Sequence, residues 1–163
     1  GLVGSEMCIR DSNMSNLEMI RVLISLILIT TLNTSLFACK TPKELMDNYF
    51  QDFNSANSKK IEKNFSFPFM VIQNGKKTIH NELSSFYDFE NIKDTGWKES
   101  VINSVILILK KNKSAITQVN FSRINDKDTV YLTTDAYYIL INKDDNWYIS
   151  GIIIDGKVPL GKE

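Results

Sequence analysis

From Trp97 onward the chain has few options other than a β-sheet. Four runs, "KESVINSVILILKK", "AITQVNFSRIN", "TVYLTTDAYYILIN" and "WYISGIIID", are rich in β-branched and aromatic residues. Polar turns separate them: Asn112-Lys113-Ser114, Asp126-Lys127-Asp128 and Lys143-Asp144-Asp145-Asn146. Turns this short join antiparallel neighbours. The runs exceed the usual strand of about five or six residues, and strands that long twist and coil. A sheet with one apolar face must bury it against another layer.

The preceding segment supplies that layer. "TPKELMDNYFQDFNSAN" has Thr41 as N-cap, Pro42 at the first helical position and Glu44 three residues after the cap, which is a capping-box start. Leu45, Met46, Tyr49, Phe50 and Phe53 then recur at three- and four-residue spacing, one apolar helical face. Residues 54–58 break the helix, and a short second helix over 59–65 turns Ile61 and Phe65 inward. Asn74-Gly75 between apolar runs predicts a type I′ hairpin with strands at 67–73 and 76–80, because both central positions need positive φ. Asn81 is expected to cap a helix over 82–90, with Leu83, Phe86, Tyr87 and Phe89 as its apolar side, and residues 93–96 to form a loop. The expected fold class is α+β: a strongly curved antiparallel sheet wrapped around an N-terminal helix, with the helices on one face.

The N-terminal text reads as an address. Residues 1–12, "GLVGSEMCIRDS", have no apolar period, and Met7 to Ser12 back-translates to DNA resembling a transposon end used to tag fragments for sequencing. They are set aside as adapter-derived. Residues 13–38 read as a signal peptide with its start at Met19: Arg21, an apolar run from Val22 to Leu32, then Leu36-Phe37-Ala38-Cys39. The run is shorter than the ~20 residues that span a bilayer. Leu-x-Ala-Cys resembles the bacterial lipobox, which makes Cys39 the expected lipidation site and residues 39–41 the lipidated N-terminus. The expected location is the bacterial cell envelope, lipid-anchored, with the outer membrane facing the periplasm preferred because Lys40 is not acidic. Plain secretion and an uncleaved anchor are the alternatives. The membrane is then a partner through the anchor.

Composition removes several function classes. Setting aside Arg10, Arg21, Glu6, Asp11 and Glu18 from the 19 basic and 19 acidic residues leaves 17 against 16. That balance gives no electrostatic case for nucleic acid. Lys110, Lys111 and Lys113 read as a solvated hairpin end. No cysteine follows Cys39 and His80 is the lone histidine, so a thiolate or histidine-rich metal site and a Cys-His nucleophile are ruled out. No metal or cofactor is expected. No G-x-S-x-G context supports a triad through His80. Arg123 and Asp135 are read as a cross-strand ion pair.

The order of elements resembles the nuclear transport factor two-like superfamily, in its SnoaL-like and ketosteroid-isomerase-like branches. The motifs that carry the resemblance are "NYFQDFNSANSKKIEKNFSFPF", "FSRIND" before a long strand, and "YYILINKDDNWYISGIIID". It covers residues 42–155, leaving 156–163 as a C-terminal tail. The resemblance implies a cystatin-like cone, with a pocket at its wide end lined by Tyr49, Phe53, Phe69, Phe86, Phe121, Tyr138 and Trp147. It implies three catalytic candidates. Tyr49 matches the tyrosine of the isomerase oxyanion hole, and His80 with Asp135 could play the His and Asp of the cyclases. At the place of the isomerase base the chain reads Phe69-Met70-Val71-Ile72, with no carboxylate. Three functions stay open: a non-catalytic envelope lipoprotein whose cone binds a small apolar ligand or a partner, which is favoured; a cyclase, dehydratase or isomerase; and a module that dimerises through its sheet face.

Overall fold

The computed structural model describes residues 41–156 and 158–160. The adapter, signal-peptide and lipidation expectations, Cys39 included, lie outside the described residues. The element order is α1 (Pro42–Asn54), α2 (Ser58–Glu62), β1 (Phe65–Gln73), β2 (Lys76–His80), a 3₁₀ turn (Leu83–Ser85), α3 (Phe89–Asp94), β3 (Trp97–Lys110), β4 (Ser114–Asn125), β5 (Val130–Lys143) and β6 (Asn146–Ile154).

α1 begins as its sequence dictates. The Thr41 hydroxyl accepts from the Glu44 backbone N–H, and the Glu44 carboxylate accepts from the Thr41 N–H. Leu45, Met46, Tyr49, Phe50 and Phe53 are buried. Asn57 caps α2 by accepting from the Lys60 N–H. α2 stops at Glu62, earlier than expected, because Phe65 already starts β1. The hairpin closes through Asn74 (φ 51°) and Gly75 (φ 78°).

All six strands form one sheet in the order β2-β1-β6-β5-β4-β3. One pairing corrects the expected antiparallel sheet: β1 and β6 run parallel, so the sheet is mixed. The chain leaves the β1–β2 hairpin, builds β3 to β6 as a meander, and returns β6 beside β1 in the same direction. The sheet curls because its ladders are bulged. Register shifts interrupt β3 against β4 at three places and β5 against β6 at one, and each bulge adds local twist and bend.

α1 lies against the inner face, whose buried residues include Val119, Phe121 and Arg123 from β4, Tyr138 and Leu140 from β5, and Trp147 and Ile149 from β6. The Asn54 amide Nδ2 donates to the Ser100 carbonyl at 2.9 Å, and the Ser100 N–H donates to Asn54 Oδ1 at 2.8 Å. This pins the C-terminal end of α1 to the start of β3.

The single helix expected over 82–90 is not formed. A 3₁₀ turn and α3 replace it, and Asp88, not Asn81, caps the helix by accepting from the N–H groups of Glu90 and Asn91. Consecutive residues explain the split. Phe86 packs on Phe69 at 5.4 Å and Tyr87 on Phe53 at 5.3 Å between ring centroids, and the chain must turn there to point both rings into the core. α3 therefore takes up Lys93 and Asp94, leaving only Thr95 and Gly96 as a turn.

Candidate functional site

The aromatic residues converge where α1 crosses the inner face. Tyr49 sits 5.3 Å from Phe50, 5.7 Å from Phe65 and 5.6 Å from Tyr138, mostly edge to face. Their interlocking leaves little open space at this point. What remains inside is a cavity of about 20 Å³. A water needs ~10–15 Å³ by this measure, so the space suits one water.

Polar and apolar side chains share the wall of that cavity. Tyr49, Tyr87, Tyr138, Ser100 and Arg123 contribute to its wall together with Phe50, Phe53 and Phe121. The hydroxyls of Tyr49 and Tyr87 hydrogen-bond each other. Burial pushes the Tyr49, Tyr87 and Tyr138 hydroxyls above the usual tyrosine range, their mutual proximity adds to the rise for Tyr49 and Tyr138, and the Arg123 charge opposes it. At neutral pH these groups are neutral donors and acceptors. No carboxylate or histidine belongs to this wall.

An open cleft of about 930 Å³ lies next to it, lined by β1, β2, the 3₁₀ turn, α3 and the tail. Leu160 belongs to both linings. The tail is more than the loop expected from sequence. Val158 and Leu160 are buried, Gln73 Nε2 donates to the Val158 carbonyl at 3.0 Å, and Arg123 Nη1 donates to the Pro159 carbonyl at 2.9 Å.

The sequence-derived candidates distribute unevenly. Tyr49, Phe53, Phe121 and Tyr138 line the inner cavity, whereas Phe86 lines the outer cleft. Phe69 and Trp147 belong to the core and to neither wall. The catalytic candidates do not assemble. His80 projects from β2 toward the inner face, opposite Phe69, while Asp135 lies on the outer face of β5 and accepts from Asn120 Nδ2 at 3.0 Å. β2 and β5 are three strand spacings apart, roughly 14 Å. The expected Arg123–Asp135 ion pair also fails. Arg123 pairs in register with Leu132 and is buried inward, whereas Asp135 pairs with Asn120 outward. Sequence reasoning passed over Tyr87, Ser100 and Leu160 as wall residues. For Arg123 the signal was present: it alternates with Val119 and Phe121 on the core face of β4.

His80 is engaged at both nitrogens. Ser85 Oγ donates to the Glu82 carbonyl, so its oxygen accepts from His80 Nδ1–H at 3.0 Å, and Nε2 accepts from the Thr78 hydroxyl at 2.9 Å. The ring stacks on Phe69 at 5.3 Å. Partial burial lowers the His80 pKa below 6.5, with hydrogen bonding to Ser85 opposing. The folded state therefore disfavours the imidazolium. Stability present above the unfolded pKa is lost as pH falls through it toward the folded value. His80→Gln is expected to flatten the fall in urea midpoint between pH 7 and 5 relative to the unaltered chain.

Among the described residues, no group of three or more His, Cys, Asp or Glu is placed to hold a metal. No helix among them is long and apolar enough to cross a membrane. A family model described as NTF2-like protein (DUF6841) matches residues 42–156. The chain belongs to this NTF2-like family. Solved structures agree on the fold. A protein of unknown function with a cystatin-like fold from Nostoc punctiforme is 14% identical with a TM-score of 0.58, over 69% of this chain and 86% of that one. An NTF2-like protein with a cystatin-like fold from Novosphingobium aromaticivorans is 9% identical with the same TM-score, over 87% and 90%. An NTF2-like protein of unknown function from Shewanella oneidensis is 16% identical with a TM-score of 0.54, over 69% and 94%. Comparison with curated protein sequences finds no match. The NTF2-like domain is a cone of mixed sheet around α1, and a shared cone at such identities speaks to fold, not activity.

Proposed function

We propose that this NTF2-like protein is an envelope lipoprotein whose cone binds a small molecule without transforming it. The supporting observation is the juxtaposition at Leu160: one side chain stands between an interior polar cluster and an open cleft. The cleft volume falls within the ~300–1,000 Å³ usual for small-molecule sites. Val71, Phe86 and Val158 give it apolar surface, and Gln73, Thr78 and His80 give it hydrogen-bonding groups. Catalysis finds less support. A general base must reach the reacting proton, and the interior offers hydroxyls with raised pKa and a guanidinium instead. The envelope location rests on the Leu36–Cys39 motif and the apolar run before it.

Native mass spectrometry of the protein purified from its own membrane tests this reading in one measurement. The expected spectrum shows an acyl mass on Cys39 and an additional dissociable small molecule. A chain carrying no small molecule, with turnover detected against a candidate substrate, would replace binding by catalysis.

A second reading, assembly with a second copy, has its own observation. β3 is an edge strand, and Ile106, Leu107, Ile108 and Leu109 are 42–53% exposed in succession at its end. Exposed apolar runs of this kind mark contact surfaces. The double variant Ile106→Lys, Ile108→Lys is then expected to sediment as a monomer where the unaltered chain sediments as a dimer. A monomeric unaltered chain removes this reading.

A further inference from the structure

Among the described residues, Arg123 is the lone charged side chain in the buried class, at 1% exposure. No carboxylate among the described residues forms an ion pair with it. Its Nη1 reaches the Pro159 carbonyl, and its Nε has no hydrogen-bond partner. Burying a guanidinium with one carbonyl as partner is costly, and buried charges are ordinarily paired. The surroundings suit an anion. Tyr49, Tyr87, Tyr138 and Ser100 border the same cavity with hydroxyls that can donate, and Phe50, Phe121, Ile152 and Ile154 surround them with apolar surface. This is the setting for a single negative head attached to an apolar body.

The segment that closes this setting resembles such a molecule. Pro159 presents a carbonyl oxygen to the guanidinium, where one oxygen of a carboxylate would sit. Leu160 follows with an apolar side chain buried between cavity and cleft. Residues 158–160 have no regular secondary structure. Side-chain hydrogen bonds reach them from Gln73 and Arg123. Moving Pro159 and Leu160 aside joins the interior cavity to the cleft and frees Nη1, which then donates to one oxygen of a carboxylate in a charge-assisted hydrogen bond.

We propose that Arg123 binds the carboxylate of an apolar monocarboxylic acid, and that Pro159–Leu160 occupies the site as a displaceable stand-in. This rests on the small-molecule reading and names the ligand class and the gate. A site held by its own stand-in shows an apparent affinity reduced by the fraction of time it is open, so weakening the stand-in strengthens binding.

Isothermal titration of the full chain with sodium octanoate and with octanamide tests the proposal. The expected result is that octanoate binds and octanamide binds at least ~tenfold more weakly, in line with a lost charge-assisted pair. Leu160→Gly is expected to tighten octanoate ~tenfold or more. Arg123→Met is expected to lose octanoate binding while melting at the same temperature or higher, because an uncompensated buried charge is replaced by an apolar chain of similar length. Equal affinity for octanoate and octanamide in Leu160→Gly overturns the carboxylate assignment, and this contrast requires no change at Arg123. Unchanged octanoate affinity in Leu160→Gly overturns the gate. If neither compound binds while native mass spectrometry still shows a neutral co-purified molecule, the carboxylate proposal falls and the small-molecule reading stands. If neither compound binds and no molecule co-purifies, both fall.

Discussion

Phe53→Ala is expected to destabilise the domain by about 3–5 kcal/mol, the range for removing a large aromatic side chain from a packed core. Phe53 is 4% exposed and touches rings from four parts of the chain. Its centroid lies 6.1 Å from Tyr49 in α1, 5.3 Å from Tyr87 after the 3₁₀ turn, 5.1 Å from Phe89 in α3 and 5.4 Å from Trp97 in β3. Pairs of this geometry add about 0.5–1.5 kcal/mol each beyond area burial. Alanine removes all four contacts together and leaves a void that rings anchored on separate elements cannot fill by small shifts. Domains of this size hold about 5–15 kcal/mol in total, so the loss is at least about a fifth of the reserve. A thermal melt should fall by roughly 10–20 °C, given a few degrees per kcal/mol at this chain length. Phe67→Ala is the control. Phe67 is only partly buried and touches Phe65 and Phe69, so it should cost much less. Equal losses for the two would mean that the ring cluster is not a cooperative centre.

The same cluster accounts for the difference between the expected pocket and the observed one. The rings expected to line the pocket are buried, but their orientations decide whether a cone is hollow. Spacing says that Tyr49, Phe53 and Tyr138 share an interior. It does not say that they meet edge to face and leave about 20 Å³. Local signals were legible where the physics is local. The Thr41–Glu44 capping box, the Asn74-Gly75 turn and the alternation of Val119, Phe121 and Arg123 all act over a few residues, and all appear in the structure. The parallel β1–β6 pairing was not legible, since it joins residues some eighty positions apart and no short motif encodes it. The capping role of Asp88 was missed because Asn81 offers an equally good local cap. Only the demand that Phe86 and Tyr87 both enter the core selects between them.

Arg123 shows how a correct placement can carry a wrong partner. Its position on the core face of β4 followed from alternation, whereas its pairing with Asp135 required that both side chains share a face. Asn120 and Asp135 are in register, so Asp135 faces outward with Asn120, three positions before Arg123 and on the other side of the sheet. A charge moved from a surface ion pair to the interior changes from a minor contributor to the most demanding group in the core. The Leu160 segment could not be anticipated either. A tail rich in glycine and lysine reads as solvent-exposed, and its burial depends on a cleft that exists only once the sheet has curled.

Asn54→Ala is expected to cost about 2–6 kcal/mol, although the side chain is only partly buried and packs no large surface. Its amide completes both backbone hydrogen bonds of Ser100, as an adjacent strand would. Ser100 is buried, and its own hydroxyl accepts from Trp97 Nε1 at 3.0 Å. Alanine leaves a buried N–H and a buried C=O without partners, at about 1–3 kcal/mol each. Asn54→Asp separates the two bonds. Its carboxylate keeps an acceptor for the Ser100 N–H but sets a second oxygen against the Ser100 carbonyl, and that contact favours the protonated acid, whose O–H can donate. The folded-state pKa of the new acid is therefore raised above its unfolded value. The stabilisation from the protonated form is fully present below the unfolded pKa and is lost as pH rises through the folded one. The stability gap between Asn54→Asp and the unaltered chain should accordingly be wide at pH 7 and narrow toward pH 4, whereas the gap for Asn54→Ala should stay constant. Chemical denaturation across that range checks both. A gap for Asn54→Asp that does not move with pH would mean that the amide's donor is not what holds α1 to β3.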